Sequence, residues 1–381
     1  MEYKLKEEKQ NQEKAKVYFS DFRARPGKNL LQKLEILMKK AGIENIDFQN
    51  KFVAIKIHFG EPGNIAYLRP NYAKVVADVV KSLGGKPFLT DCNTLYVGRR
   101  KNALDHLEAA YENGFSPFST GCHVIIADGL KGTDEELVPI NQEYVKEAKI
   151  GRAIMDADIV ISLNHFKGHE ATGFGGALKN LGMGCGSRAG KMEMHSSGKP
   201  QALDTCRGCR QCAKICAHDA ISFDEAGKAH IDHTKCVGCG RCIGICNFDV
   251  IKAANHHSND ILNKKIAEYT YAVIKDKPHF HISLIVDVSP NCDCHAENDM
   301  PIIPNIGMLA SFDPVALDMA CADLANKQNP IKGSVLEEHI NKGTTGEDNF
   351  ILNHPDTNWK VAIEHAKKIG IGTDEYELIK V

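Results

Sequence analysis

Two cysteine runs of the same form stand 30 residues apart in this chain of 381 residues. Cys206, Cys209, Cys212 and Cys216 read C-x2-C-x2-C-x3-C, and Cys236, Cys239, Cys242 and Cys246 repeat that spacing. A 4Fe–4S cluster needs four thiolates, and a tight run delivers three of them from one loop. Zinc sites more often pair two C-x2-C knuckles, without a third cysteine two residues further on. The spacing therefore predicts two 4Fe–4S clusters.

Over this stretch the sequence resembles the bacterial dicluster ferredoxins. In that family the fourth cysteine of each run ligates the other cluster. The resemblance implies one cluster on Cys206, Cys209, Cys212 and Cys246, and a second on Cys236, Cys239, Cys242 and Cys216. The proline that usually follows the fourth cysteine is Ala217 in one run and Asn247 in the other. That proline shapes a turn and ligates nothing. Ala220-Ile221 and Val250-Ile251 sit at matching positions, as apolar residues that would seal each cluster from water.

A second donor set is Asn291–His295, NCDCH. Cys292, Cys294 and His295 could hold an additional metal ion, with Cys185 or a cleft histidine in support. C-x-C is less specific than C-x2-C, and buried or redox-reactive thiols are the alternative. Cys92, Cys122 and Cys321 fall in strand-end or helix contexts and read as core thiols.

Residues 164–195 carry eight glycines from Gly168 to Gly190. The pattern is neither a Walker A loop, since Met192 follows Lys191, nor a dinucleotide fingerprint, since Leu178 stands where its third glycine would fall. It reads as a glycine-rich loop whose backbone and cations, among them Lys167, Lys179, Arg188 and Lys191, suit an anionic ligand. The competing reading is a linker with solvated charges.

These groups need a scaffold. Strands are expected at 15–21, 52–59, 87–90, 123–127, 158–163, 281–288 and 306–310. Helices are expected at 29–41, 70–83, 102–113, 145–156, 261–275, 314–326 (capped by Asp313) and 359–369. Such alternation predicts an α/β fold, a mostly parallel sheet with flanking helices. A small α+β dicluster ferredoxin insert would interrupt it: 1–198 and 255–381 form the α/β part, 199–254 the insert. His58, Asp91, Asp128, His165, Asp287 and Asp313 all fall at or just past strand ends. Ligands of open α/β sheets bind at the carboxyl ends of the strands. His165, Lys167 and His58 are thus the catalytic candidates, and Lys179, Arg188, Asp91 and Asp128 the ligand-binding ones.

The formal charge of −2 and a pI near 6.8 offer no basic field for nucleic acid. No run of 18 apolar residues predicts a membrane span. The charged start lacks the apolar core of a secretory signal, and fourteen cysteines dominated by two metal-type runs fit a reducing, anaerobic cytoplasm.

The phrases KIHFGE (56–61), GGKPFLTDCNTLY (84–96), HFKGHEATGFGGALKNLGMGC (165–185), CDC (292–294) and ASFDPVALD (310–318) resemble the family named domain of unknown function 362. Members with an inserted dicluster ferredoxin are labelled iron–sulfur center proteins. The resemblance implies that the α/β part defines the family, and it supplies no reaction. The expectation is an iron–sulfur redox protein, a ferredoxin-dependent oxidoreductase whose clusters exchange electrons with an anionic small molecule in the cleft. A ferredoxin-type donor or acceptor would be its protein partner. The alternatives are an electron carrier or metal-handling scaffold, and a non-redox enzyme with structural clusters.

Overall fold

The computed structural model describes residues 14–95, 98–195, 199–216, 218–236, 238, 241–246, 248, 250–253 and 259–381. The leader up to residue 13 and the expected cluster ligand Cys239 lie outside the described residues.

Eight strands form the main sheet: β1 (Ala15–Asp21), β2 (Phe52–Lys56), β3 (Lys86–Asp91), β4 (His123–Ile126), β5 (Ile159–His165), β6 (His279–Ile285), β7 (Gly307–Ser311) and β8 (Tyr376–Lys380). Their spatial order is β8-β1-β7-β6-β5-β2-β3-β4. Pairings of β7 with β1 and β6 are antiparallel and the other five are parallel, so the fold is α/β with a mostly parallel sheet. Strands from both sides of the cysteine runs share this one sheet. Every residue of β5, IVISLNH, is buried, which suits a central strand covered on both faces.

Alternate residues of β5 serve the two faces. Ile159, Ile161 and Leu163 pack with Leu34, Val76 and Phe115 beneath helices α1 (Leu30–Lys40) and α2 (Pro70–Ser82). Helix α1 starts on a capping box in which Asn29 and Gln32 satisfy each other's backbone N–H, a device worth about 1 kcal/mol. Helix α3 (Ala103–Glu112) flanks the β4 edge. Val160 faces the other way, toward Leu181 and Ile266 of helices α4 (Ala177–Cys185) and α6 (Asn259–Ile274). Helices α5 (Arg188–His195), α7 (Pro314–Asn326) and α8 (Lys360–Lys368) are the other long ones, α7 starting on the Asp313 side chain.

Two expectations need correction. Residues 145–156 are not one helix: Glu147–Gly151 is a strand paired with Glu135–Pro139, and only Arg152–Asp156 is helical. The cross-strand partner supplies the hydrogen bonds that a helix would have used. The glycine-rich segment is also no loop. It folds as the short strands Lys167–His169 and Gly173–Gly175, then α4 and α5. Its glycines serve helix packing, since a Cβ on Gly182 would clash with the Ile266 carbonyl of α6.

Candidate functional site

The cysteine runs fold as two one-turn helices, Gln211–Ile215 and Arg241–Ile245, packed on each other, with a short hairpin at 221–231 and an antiparallel pair of 200–202 with 251–253 beside them. Cys206, Cys209, Cys212 and Cys246 line one pocket. Phe223, Phe248, Val250 and Ile251 form an apolar side of it, and Arg207, Arg210 and Gln211 also line it. The sulfurs of these four residues are free thiols, and Cys206 Sγ accepts from Ala229 N at 3.4 Å. A thiolate-bound group fits such a pocket: four soft donors, an apolar side, two arginines that suit thiolate charge and, among the described residues, no carboxylate in the lining. Cys216, Cys236 and Cys242 are the described members of the other set. Met192 of α5 and Leu95 pack into the same apolar group as Cys212, Cys242 and Cys246, which seats the cysteine segment against the α/β core.

A second constellation gathers at the carboxyl ends of β5 and β6. The loop after β6 turns tightly, with His295 N bonded to Cys292 O at 3.1 Å. Gly168 lets this loop lie on the short 167–169 strand, where a Cβ would strike the Pro290 carbonyl. Cys292, 2% exposed, receives Lys179 Nζ at 3.0 Å from α4. A hydrogen bond from Cys294, then Lys179 and His169, hold the Cys292 thiol well below its ordinary pKa against the cost of burial. Cys294 is pushed up correspondingly, because it donates to Cys292 and is itself desolvated. Glu170 accepts from Cys292 N at 3.3 Å and meets His295 Nε2 at 3.2 Å. That contact with Glu170 raises His295 to about 9.

Asp293, fully buried between these cysteines, points inward. It meets His165 Nδ1 at 2.9 Å and Lys167 Nζ at 3.6 Å. Burial would raise its pKa, but His165 and Lys167 outweigh that and hold it low. His165 Nε2 faces the Val286 carbonyl at 2.7 Å, so both of its nitrogens face oxygen acceptors. His58 is the opposite case. Its Nε2 lies 3.0 Å from Arg100 Nη1 and its Nδ1 3.0 Å from the Gly60 amide. A neutral ring has a single acceptor nitrogen, so it can accept from only one of these two donors at a time. Burial, then Arg100, keep His58 well below its ordinary pKa.

Beyond His58 lies a buried ion network. Arg100, 1% exposed, pairs with Glu61 at 2.7 Å and lies 3.8 Å from Asp91. Asp91 also pairs with Lys56 at 3.0 Å. Asp128 lies further along the sheet edge and accepts from Asn93 N and Nδ2 at 2.9 and 2.8 Å. Desolvation raises its pKa to about 6, although Lys191 lies near enough to oppose the shift. Lys191 bonds the Gly184 and Gly186 carbonyls, and Arg188 those of Lys131 and Lys101.

Sequence reading thus named residues that the structure divides. His58, His165, Lys167, Lys179, Cys292 and Cys294 surround one loop. Asp91 joins them through Arg100, while Asp128 and Arg188 sit on the side nearer α5. Asp287 pairs with Arg69 at 3.6 Å, and Asp313 caps α7. Arg100, Glu61, Lys56 and Glu170 were missed as site residues. Glu61 lay inside the quoted phrase KIHFGE and Glu170 inside HFKGHE, which was the available signal. Cys92, Cys122 and Cys321 are buried, with thiols raised first by desolvation. Among the described residues no helix is long and apolar enough to cross a membrane.

A family model described as a domain of unknown function, DUF362, matches residues 53–323. A thylakoid-associated protein of Synechocystis is 28% identical over 127 residues, 32% of this chain and 35% of that one. The lactate racemase apoprotein of Thermoanaerobacterium thermosaccharolyticum aligns at a TM-score of 0.37 and 11% identity, over 70% of this chain and 50% of that one. A structural-genomics protein from Thermotoga maritima aligns at 0.40 and 12% identity, over 78% and 58% of the two chains. The chain thus spans 35% of the curated relative's length and 50% to 58% of the solved chains.

Proposed function

Because the chain belongs to the DUF362 family, whose name assigns no reaction, its work has to be read from its own residues, and we propose that it is an iron–sulfur redox protein. On this reading Cys206, Cys209, Cys212 and Cys246 hold one 4Fe–4S cluster, and Cys236, Cys239, Cys242 and Cys216 the other. One observation carries the reading: Cys246 of the second run lines the same pocket as three cysteines of the first. Bound clusters of this kind supply one-electron transfer.

The chain's own residues do the rest. Phe223, Val250 and Ile251 put an apolar side against the pocket, in which Cys212 and Cys246 are buried. Met192 packs into the cysteine segment from α5, and the preceding Lys191 bonds the carbonyls of Gly184, within α4, and Gly186, just past its end. Helix α4 in turn carries Lys179 to Cys292. This run of packed and hydrogen-bonded groups joins the cysteine segment to the Cys292–Cys294 pair, where an anionic small molecule would be reduced or oxidised. A ferredoxin-type protein would supply or remove the electrons. The pairing of Lys167 with Asp293 and of Lys179 with Cys292 favours a second reading, an electron carrier that binds no small molecule.

Anaerobically prepared protein should contain about eight irons. Cys246→Ser should abolish the paramagnetic signal of the cluster held by the first run, and Cys216→Ser that of the second. Loss of the opposite signal in each variant sinks the crossed ligation, and protein free of iron sinks the redox reading. Turnover of a metabolite pool by dithionite-reduced protein, lost in Lys179→Ala with iron content unchanged, separates the enzyme from the carrier.

A further inference from the structure

We propose that Glu170, Cys292, Cys294 and His295, apart from the two cysteine runs, hold a single thiophilic divalent cation of the zinc class. Glu170, Cys294 and His295 each offer one ligand atom, and these atoms all lie within 4.8 Å of one another. Donors bound at about 2.0–2.3 Å around a tetrahedral ion stand roughly 3.3–3.8 Å apart, so closing the group requires shifts on the order of 1 Å. Cys292, outside that group but in the same turn and within hydrogen-bond reach of Cys294, is the fourth ligand once its side chain turns toward the ion, and its backbone N already bonds Glu170 at 3.3 Å. Two sulfurs, an imidazole and a carboxylate suit zinc better than magnesium or calcium, which prefer all-oxygen shells.

The surroundings complete the site. His295 turns Nε2 toward Glu170, while its Nδ1 meets Glu297 Oε1 at 3.2 Å. A carboxylate on the far nitrogen is the arrangement that orients a metal-ligating histidine. Lys179 Nζ, 3.0 Å from Cys292 Sγ, stands as an N–H donor to that sulfur and offsets part of the charge of two thiolates and a carboxylate. His295 and Glu170 are 34% and 40% exposed in their side chains, so an ion can reach the donors from solvent. None of the eight cysteines in the two runs takes part, and the site stands whether or not those runs hold clusters.

The test uses the full-length chain, prepared anaerobically, dialysed against excess zinc and then against metal-free buffer. Iron and zinc are counted in the same sample, and zinc X-ray absorption reads the ligands. The expected result is about one zinc per chain with a mixed shell of sulfur and nitrogen or oxygen. Cys292→Ser/Cys294→Ser should lose that zinc and keep the wild-type iron content. His295→Ala, a milder change at the exposed edge, should weaken zinc binding by roughly tenfold or more. Equal zinc in wild type and the double variant, an all-sulfur shell, or a Cys292–Cys294 disulfide in the anaerobic protein would each overturn the proposal. Iron content reports separately on the cluster reading, so the two fail independently.

Discussion

Lys179 Nζ approaches Cys292 Sγ to 3.0 Å, joining helix α4 to the loop after β6 through one ammonium–sulfur contact. The Cys292 thiol is held below its ordinary range by Cys294 first and by Lys179 second. In Lys179→Met the second influence disappears, so in metal-free protein the Cys292 titration should move upward. The infrared S–H stretch, assigned by comparison with Cys292→Ser, should then persist to higher pH than in wild type. An unchanged titration would mean that Cys294 alone sets the charge on this sulfur.

Lys56 and Asp91 are 1% and 5% exposed and paired at 3.0 Å. Removing one member of a buried pair strands the other, at a cost of roughly 3–5 kcal/mol. Lys56→Met should therefore destabilise the fold by about that amount in urea unfolding. Lys56→Met/Asp91→Leu should recover part of the loss, and a double-mutant cycle gives the coupling. Additive losses would show that Arg100 and Asn180, the other partners of these groups, carry the network instead.

His106 sets a pH dependence. Its ring is fully buried against Phe59, and neither nitrogen has a hydrogen-bond partner among the described residues. Desolvation first, against the pull of Asp91, depresses its pKa to about 3. The folded value lies below the unfolded one of about 6.5, so the folded state binds the proton less well. Its contribution is fully present above pH 6.5 and is lost as pH falls from there through the folded value. The loss has an upper bound of roughly 5 kcal/mol. His106→Leu should flatten the fall of stability between pH 6 and 4, as read by urea unfolding, and a parallel pair of curves would assign the acid sensitivity elsewhere.

Gly168 can be tested without touching a charge. A Cβ there meets the Pro290 carbonyl, a backbone atom that cannot rotate aside. Gly168→Ala should cost on the order of 1–3 kcal/mol and displace the 290–295 loop. Amide hydrogen exchange should quicken in that loop more than in β5. Wild-type protection there would show that the loop rests on Asn353 and His354, which bond the same carbonyl at 2.9 and 2.8 Å.

Much of the sheet was legible because its strands carry the pattern themselves. The apolar residues Ile159, Val160, Ile161 and Leu163 of β5 and the β-branched residues of β2 announce central strands. The residues 177–195 were not legible as helices. Gly182, Gly184 and Gly186 lower the intrinsic helix propensity, and only the close seat of α4 on α6 offsets that loss. The 135–151 hairpin was hidden because its pairing, not its composition, defines it. The site divides in the same way. Cys292 and Cys294 stand out by spacing, but Glu170 reaches Cys292 across 122 positions and Arg100 reaches Glu61 across 39. Such partners have no local signature.

Pro200 and Ala253 face each other across an antiparallel pair, Gln201 opposite Lys252 and Ala202 opposite Ile251. The chain therefore departs toward the cysteine runs and returns from them at neighbouring points. Closing that gap needs no long connection, so a two-residue hairpin turn could replace everything between Ala202 and Ile251 at little entropic cost. The main sheet would keep all eight strands in such a shortened chain, since none of them comes from the deleted stretch. A version of the protein without the cysteine segment can ask what the α/β sheet does by itself.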